Sequence, residues 1–339
     1  MIEFDRNPEL TEAFRNLKNS MLDMNEYLSH VLRYMEAPLT PEEEHELLKI
    51  LNAYDIPVEN LEYPSDALLE NPYFKAISLE KVNTESVRYT KTLIRKRTLM
   101  NMNFNTPLGR YLFHYHPIGY FSQDVEMPVL MEGDRVWMSP AVSEIESMRD
   151  GIEKGTGHCL TFGLGIGVIL YLWLLKNDVK SVTVVEVNKD VIDLFERYIL
   201  PQFDTRKKIT IINGDAFDYY NQEFIQAFDY VYVDFWESTE DGLPFYTRLM
   251  EKKLSHPHMD YWIEDAILAD VQYLTALYLS CVYHGQSITE FISGTDMEMK
   301  PYAIKINKYF KKNSPDIQTE DELLDLLHDK AVLRDILSY

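Results

Sequence analysis

The chain has 339 residues, of which 46% are hydrophobic, and 55 acidic against 33 basic residues give it a formal net charge of −22. Its length and apolar content predict a sizeable folded core and argue against global disorder. The negative field disfavours nucleic acids and anionic membranes as partners, because both need Lys and Arg against phosphates. The basic triplet Arg95–Arg97 is better explained as a solvated helix face than as a phosphate contact.

The cysteines and the hydropathy of the chain argue against further classes of protein. The two isolated cysteines, Cys159 and Cys281, give neither a metal-ligand spacing nor a disulfide framework, so no metal site is predicted. The N-terminus lacks the basic and apolar segments of a signal peptide. The strongest apolar run, Val168–Leu175, is much shorter than the roughly 20 residues of a membrane span. We expect a cytoplasmic protein without a membrane partner, and leave its oligomeric state, including a homodimer, open.

The first 140 residues predict an accessory region. Apolar residues at spacings of 3 and 4 predict a helix after Asn7, and Thr40 with Glu43 predicts a capping box at the start of a second helix. Residues 55–85 are irregular. Residues 86–140 are rich in turns, aromatics and short strands, with two strands joined by a turn over 131–137. A helix is expected between Ser139 and Met148.

After residue 158 the pattern becomes a regular alternation of strands and helices, which predicts a parallel sheet with crossover helices. The strands expected are 159–162, 181–187, 209–212, 230–234 and 259–264. The helices expected are 166–177, 190–200, 217–226, 244–254, 268–283, 319–328 and 330–338, with two further strands at 287–293 and 302–310. The fold class is therefore α/β, a Rossmann-like sheet with an N-terminal, mainly helical accessory domain. Three regions are expected: a helical accessory region over 1–85, a connecting region over 86–140, and a cofactor-binding domain with a C-terminal extension over 141–339.

A glycine-rich loop follows the first of these strands. Gly163, Gly165 and Gly167 lie between an apolar strand that ends at Phe162 and the helix that follows. Glycine permits a sharp turn and lets a cofactor approach the backbone. A plain turn between strand and helix is the alternative, and the order of strand, loop and helix makes it less favoured.

Acidic residues end the next three strands at the same edge of the sheet. Glu186 is placed to accept the hydroxyl protons of a ribose, and Asp215 is placed to bind an adenine amino group. Asp215 could equally cap the following helix. Asp234 could orient or deprotonate a substrate. Trp236 could stack on a substrate, although a buried core position is the more frequent role of a Trp.

Together these segments resemble the class I S-adenosylmethionine-dependent methyltransferases, and within them the spermidine-synthase-like branch. The resemblance covers roughly residues 137–265. It implies that the methionine part of the cofactor S-adenosyl-L-methionine lies against the glycine loop, the ribose against Glu186, and the reaction centre against Asp234. The cofactor-binding residues that it implies are Phe162, Gly163, Gly165, Gly167, Glu186, Val187, Asp215 and Ala216.

Two departures from that branch limit what the resemblance implies. The segment Asp234–Ser238 reads Asp-Phe-Trp-Glu-Ser, where the aminopropyltransferases carry an Asp-Ser-Ser/Thr-Asp-Pro-like segment. The acid that many methyltransferases carry before the glycine loop is replaced here by Thr161 and Phe162, so Tyr120 or Glu144 would have to hold the methionine end.

These observations predict a methyltransferase acting on a small-molecule acceptor, with Asp234 as the catalytic residue and Tyr120, Glu144 and Trp236 as substrate-binding residues. One alternative is a spermidine-synthase-like aminopropyl- or aminocarboxypropyl-transferase. Another is a non-catalytic adenosylmethionine-binding module. A nicotinamide-dependent dehydrogenase is disfavoured, because its third glycine would fall at Val168 rather than at Gly167.

Overall fold

The computed structural model describes residues 2–56, 58–79, 81–139 and 141–339. In the first 140 residues, helices alternate with short strands, and the elements are β1 (Glu3–Phe4), α1 (Pro8–Leu32), α2 (Pro41–Ala53), β2 (Glu62–Tyr63), α3 (Ser65–Leu69), α4 (Pro72–Ala76), β3 (Val82–Asn83), β4 (Val87–Ile94), β5 (Met100–Asn101), β6 (Ile118–Phe121), β7 (Val125–Glu132) and β8 (Arg135–Met138).

The later part of the chain alternates longer strands and helices. Its elements are α5 (Val142–Ser147), α6 (Arg149–Lys154), β9 (Gly157–Phe162), α7 (Val168–Leu175), β10 (Val179–Glu186), α8 (Lys189–Leu194), β11 (Lys208–Asn213), α9 (Ala216–Tyr219), α10 (Gln222–Ile225), β12 (Tyr230–Val233), α11 (Thr239–Glu251), β13 (Met259–Tyr261), α12 (Glu264–Tyr283), α13 (Ile288–Gly294), α14 (Lys300–Lys312), β14 (Asp316–Ile317), α15 (Glu320–His328) and α16 (Lys330–Leu337).

A parallel sheet in the order β11-β10-β9-β12-β13 forms the centre of the molecule. The chain moves outward from β9 to β10 and β11, returns to pair β12 with the other side of β9, and then adds β13. The order reverses between β9 and β12, and ligands of open α/β sheets bind at the carboxyl ends of the strands at such a point. The predicted Rossmann-like α/β fold with a helical N-terminal region is confirmed.

The inner strands of the central sheet, β9, β10 and β12, are largely buried because most of their residues are apolar. Every residue of β12 is buried, as expected of a strand covered on both faces. The same core includes Leu10, Phe14 and Leu17 of α1 as well as the C-terminal helices. The N-terminal helix thus packs into the core of the sheet region, although the boundaries of the three expected regions stay a prediction.

The N-terminal caps form as the sequence predicts. The Asn7 side chain accepts the Leu10 amide at 2.8 Å, and Thr40 and Glu43 form a reciprocal capping box. The apolar face does not extend to the last residue of α1, because Leu32 is 59% exposed there.

A second sheet, antiparallel and in the order β3-β4-β7-β8, precedes the central one. Its last two strands form the hairpin that the sequence predicts over residues 131–137, and its Gly133 turn has a φ of +58°. The last residue of β8, Met138, reaches the glycine loop that follows β9.

The predicted strands at 287–293 and 302–310 are wrong. Both segments are helical, in α13 and α14. In α14 the buried residues Tyr302, Ala303, Ile306 and Phe310 recur at helical spacing, and this face packs against α12. The predicted helix over 217–226 is also divided, into α9 and α10.

Helix α12 is long and apolar enough to cross a membrane by length and composition alone. However, 67% of its most apolar stretch is buried inside this fold. It therefore has the environment of a core helix, and its composition reflects that burial.

Candidate functional site

A cleft of about 270 Å³ lies at the carboxyl edge of the central sheet. Its floor is the glycine loop, and its walls come from β8, α5 and the segments after β10, β11, β12 and β13. The residues that line it are Trp137, Met138, Glu144, Met148, Gly163, Leu164, Gly165, Val168, Ile169, Val185, Glu186, Val187, Asp215, Ala216, Phe217, Asp234, Phe235, Trp236, Glu237, Phe245, Arg248 and Trp262.

The glycines of the loop are required by packing as well as by the turn. Gly163 has a φ of +98°, and a Cβ there would lie 1.7 Å from the Asp234 carbonyl oxygen. Gly167 has a φ of +76°, and a Cβ there would lie 2.4 Å from the Phe195 ring. Residues that carry a side chain rarely adopt this left-handed backbone conformation. The sequence interpretation assigned the glycines to a sharp turn and to cofactor approach, and the packing against Asp234 and Phe195 is a further cause that it did not include.

Side chains from outside the loop hold its backbone in place. The Leu164 amide donates to Glu186 Oε2 at 3.0 Å, and the Ile166 amide donates to Met138 Sδ at 3.3 Å. Tyr73, from α4, donates its hydroxyl to the Ile166 carbonyl at 2.5 Å. The N-terminal region thus fixes the shape of the glycine loop.

Glu186 ends β10 at the edge of the cleft and is 5% exposed. Besides the Leu164 amide, it accepts the Asn188 amide at 2.7 Å. Burial raises the pKa of its carboxyl group, and the backbone amides that it accepts oppose this shift. Each carboxylate oxygen keeps a second lone pair, so Glu186 can still accept hydroxyl protons from a ligand.

Asp234 and Glu144 place two more carboxyl groups in the same cleft. Burial raises the pKa of Asp234 to about 7, with a further contribution from the Glu186 charge. Burial and the Asp234 charge raise the pKa of Glu144 well above its usual range, although Glu144 accepts the Ser139 amide at 3.1 Å. Within the described residues, no hydrogen-bond donor reaches the Asp234 carboxylate, which leaves it open to a ligand.

At the other end of the cleft lie Asp215 and Ala216, which follow β11. Asp215 accepts the Phe217 amide at 2.8 Å and caps α9. This is the capping role that the sequence left open, and the residue also lines the cleft. The exposed Val187 lies on the same side. The Arg248 guanidinium stacks 3.7 Å from the centre of the Phe217 ring.

Three predicted site residues do not line the cleft. Phe162 is fully buried inside β9, and Gly167 packs under Phe195. Tyr120 lies in a separate hydrophobic cluster, where its hydroxyl donates to Glu44 at 2.7 Å. The structure therefore does not bring Tyr120 to this cleft, because its hydroxyl is bonded elsewhere.

Trp236 is a buried core residue that also lines the cleft, and the sequence left both positions open for it. It is 4% exposed, and its indole donates to the Trp262 carbonyl at 3.2 Å, yet its edge lines the cleft. It is therefore mainly a core residue that shapes the wall.

The sequence interpretation missed Met138, Arg248 and Trp262. Trp262 follows β13, so the rule of strand ends could have found it if extended to the fifth strand. Met138 and Arg248 carry no such signal, because only the tertiary fold brings β8 and α11 to this edge. The predicted helix face for the basic triplet is wrong, because residues 95–97 form a turn after β4, where Arg97 pairs with Glu44 at 2.8 Å and Arg95 with Asp124 at 3.0 Å.

Comparison with known proteins gives a family match over part of the chain. No curated protein matches it. Two solved structures align with it over 46% of this chain and 58% of their own chains: spermidine synthase from Thermotoga maritima (17% identity, TM-score 0.30) and spermidine synthase in complex with the transition state analogue AdoDATO (18% identity, TM-score 0.29). The chain thus spans under two thirds of these structures.

The family model with the description "Spermine/spermidine synthase domain" matches residues 152–313, just under half of the chain. This segment contains β9 to β13 and the acids at their ends. The match supports the spermidine-synthase-like branch predicted from the motifs, and the methyltransferase superfamily is the broader label. Over residues 152–313, this chain is similar to the spermine/spermidine synthase domain.

Proposed function

We propose that the protein transfers the aminopropyl group of decarboxylated S-adenosylmethionine to an amine acceptor. The observation that carries the proposal is the gathering of Glu144, Glu186 and Asp234 in one cleft. Among the described lining residues, the only Lys or Arg side chain is Arg248, which is stacked on Phe217. The cleft therefore favours a ligand with cationic groups, such as a sulfonium and an ammonium.

The other end of the cleft suits the nucleoside part of this donor. Glu186 has lone pairs for ribose hydroxyls, and Asp215 has one carboxylate oxygen that is not used in the cap. Ala216 and Phe217 supply an apolar surface for a base. The family match favours aminopropyl transfer over the methyl transfer that the sequence first predicts.

Asp234 is the group that we assign to proton transfer. The acceptor nitrogen must lose a proton, because it forms a C–N bond while the C–S bond breaks and its electron pair leaves with the thioether nucleoside. A carboxylate with a pKa of about 7 is suited to accept that proton near neutral pH. Glu186 and the glycine loop orient the donor.

The segment after Asp234 indicates an acceptor amine that differs from the acceptors of the spermidine-synthase-like aminopropyltransferases. Phe235 and Trp236 narrow the cleft, and Glu237 is paired with Arg135 of β8 at 2.9 Å. The Arg135 charge thus partly neutralises the Glu237 charge, which weakens the attraction of Glu237 for a polyamine. This departure is what keeps methyl transfer from S-adenosylmethionine as the second candidate function.

The test is to incubate the protein separately with decarboxylated S-adenosylmethionine and with S-adenosylmethionine, each with a panel of primary amines. Release of 5′-methylthioadenosine from the first donor supports the proposal, and release of S-adenosylhomocysteine from the second supports methyl transfer instead. Glu186→Gln should weaken binding of either donor, whereas the exposed Glu196→Gln should not. If calorimetry detects no binding of either donor, both candidate functions are wrong.

A further inference from the structure

Met138 places a thioether sulfur directly against the glycine loop. The sulfur accepts the Ile166 amide at 3.3 Å. It also occupies the space beside Gly165, where a Cβ would lie 2.3 Å from it. Since Met138 lines the cleft, its side chain stands between the loop and any ligand tail.

Other amides of the loop are also bonded within the protein. Leu164 donates to Glu186, and Gly167 donates to the Leu164 carbonyl at 2.9 Å. Gly163 donates to the Val185 carbonyl at 2.9 Å. Free amides before a helix are the groups that usually bind an anion. In this loop the Gly163, Leu164, Ile166 and Gly167 amides are engaged, which leaves, among the described residues, the Gly165 amide, while the Glu144 and Asp234 carboxyl groups face the cleft.

We propose that Met138 is a specificity-determining residue that disfavours a carboxylate on the donor tail and so selects the decarboxylated donor. The inference rests on the proposed function, because it assumes an S-adenosyl nucleoside in this cleft. It goes further by assigning the choice between the two donors to one side chain outside the matched segment.

The physical basis is that a donor tail with a carboxylate and a donor tail with only an ammonium need different hydrogen-bonding groups. A carboxylate needs hydrogen-bond donors, and to reach the Ile166 amide it must displace the sulfur. It would then lie in a cleft that also contains Glu186 and Asp234, whose ionised carboxylates repel it. An ammonium tail needs only acceptors, which the carboxyl groups provide. A thioether is itself a weak acceptor, so it satisfies the amide without attracting a competing cation strongly.

The experiment measures the binding of three thioether nucleosides by calorimetry. The ligands are 5′-methylthioadenosine, with no charged tail, decarboxylated S-adenosylhomocysteine, with an ammonium, and S-adenosylhomocysteine, with an ammonium and a carboxylate. The proteins are the wild type, Met138→Leu, which nearly conserves volume but removes the acceptor, and Met138→Ala, which also opens the space. Met127→Leu, buried in β7 away from the cleft, is the matched control.

We expect the wild type to prefer the decarboxylated ligand by at least about tenfold, which corresponds to about 1.4 kcal/mol. Met138→Ala should reduce that preference about tenfold, and Met138→Leu should reduce it by a smaller factor. Met127→Leu should preserve the wild-type ratio. Thermal unfolding of each variant shows that the comparison is made on folded protein.

Two results would overturn the inference in distinguishable ways. If the wild type binds all three nucleosides but both Met138 variants keep the wild-type ratio, Met138 does not set the choice, and the proposed function stands. If the wild type binds none of them, including 5′-methylthioadenosine, the proposed function is wrong and the inference is wrong with it.

Discussion

Asp234 is partly buried, and among the described residues no protein group donates a hydrogen bond to its carboxylate. The backbone explains its position, because Asp234 follows the wholly buried β12 and its amide donates to the Phe162 carbonyl at 2.9 Å. Desolvation and the Glu186 charge then raise its pKa to about 7. A carboxyl group in this state changes charge in the neutral range, which is unusual for an aspartate.

This charge change predicts the pH dependence of the reaction. Asp234 accepts a proton only when it is ionised, so kcat/KM should rise with an apparent pKa near 7 and level off above it. Asp234→Asn should lower kcat by at least about a hundredfold and remove this limb. Initial rates between pH 5 and pH 9 measure both effects. The exposed Asp218→Asn should behave as wild type, and a flat profile for the wild type would exclude Asp234 as the base.

The residue scale also shows what a single sequence can and cannot predict. Glu186, Asp215 and Asp234 were predictable because each lies at or just after the end of a predicted strand, and the carboxyl ends of parallel strands share one edge. Tyr120, which the structure places away from the cleft, lies in the turn-rich region, where no rule of topology gives its direction. Met138 gave no signal, since an apolar residue at the end of a short strand is ordinary.

At the scale of elements, the segment between β5 and β6 carries a histidine pair in a confined position. The rings of His114 and His116 lie with their centroids 4.2 Å apart, and both contact the Thr106 hydroxyl, at 3.1 Å and 3.4 Å respectively. Burial, and then the neighbouring His116, lowers the pKa of His114 to about 4. The folded protein therefore holds His114 neutral, whereas the unfolded chain protonates it near its ordinary pKa of 6.5.

The pair should make the fold sensitive to acid. Because the pKa is lower in the folded state, stability is unaffected above pH 6.5 and is lost as pH falls from there toward 4. The loss from His114 is on the order of 2 kcal/mol. Denaturant unfolding of wild type and His114→Gln at pH 7.5 and pH 4.5 measures it, and the variant should lose less stability on acidification. The exposed His45→Gln should lose as much as wild type.

Periodicity predicted most elements of the sheet region, yet it predicted strands where α13 and α14 form. Residues 302–310 contain β-formers such as Tyr302, Ile304 and Ile306 at alternate positions, which suits a strand by composition. The decisive factor is tertiary: the buried set of α14 has helical spacing and packs on α12. The local sequence pattern alone could not decide between a strand and a helix for residues 302–310.

At the scale of the whole molecule, the C-terminal helix is tied to the carboxyl edge of the central sheet. Arg334 of α16 donates to Glu264 Oε1 through Nε at 2.8 Å and Nη2 at 2.6 Å. Glu264 is 6% exposed, and it begins α12 directly after Ile263, whose φ is +47°. Tyr246 of α11 donates to the same carboxylate oxygen. Elements distant in sequence thus meet on one buried charge.

Loss of this ion pair should destabilise the whole fold. Arg334→Ala leaves Glu264 buried without its main partner and should lower the free energy of unfolding by about 2–4 kcal/mol. Adding Glu264→Gln should recover part of that loss, because the uncompensated charge is removed. Arg15→Ala, which breaks an exposed pair with Glu12, should cost at most about 1 kcal/mol. Urea unfolding curves measure all four proteins, and equal losses for Arg334→Ala and Arg15→Ala would contradict this account.

The global topology was predictable only in part. Alternating strands and helices predicted the parallel sheet, because a crossover helix brings each strand back in the same direction. The way that residues 1–138 pack onto it was not predictable, since the contacts of Tyr73 and Met138 with the glycine loop join segments far apart in sequence. Such contacts depend on the three-dimensional path of the chain rather than on any local pattern.

The fit of Gly163 against the carbonyl oxygen of Asp234 has a practical consequence for anyone who mutates this protein. Replacing a glycine of such a loop with alanine is a common way to make an inactive control. Here the added methyl group would push the end of β12 away from the loop, and loss of activity in that variant would say nothing about its affinity for a ligand. A dead variant for crystallography or for trapping complexes should instead alter a side chain that only the ligand contacts.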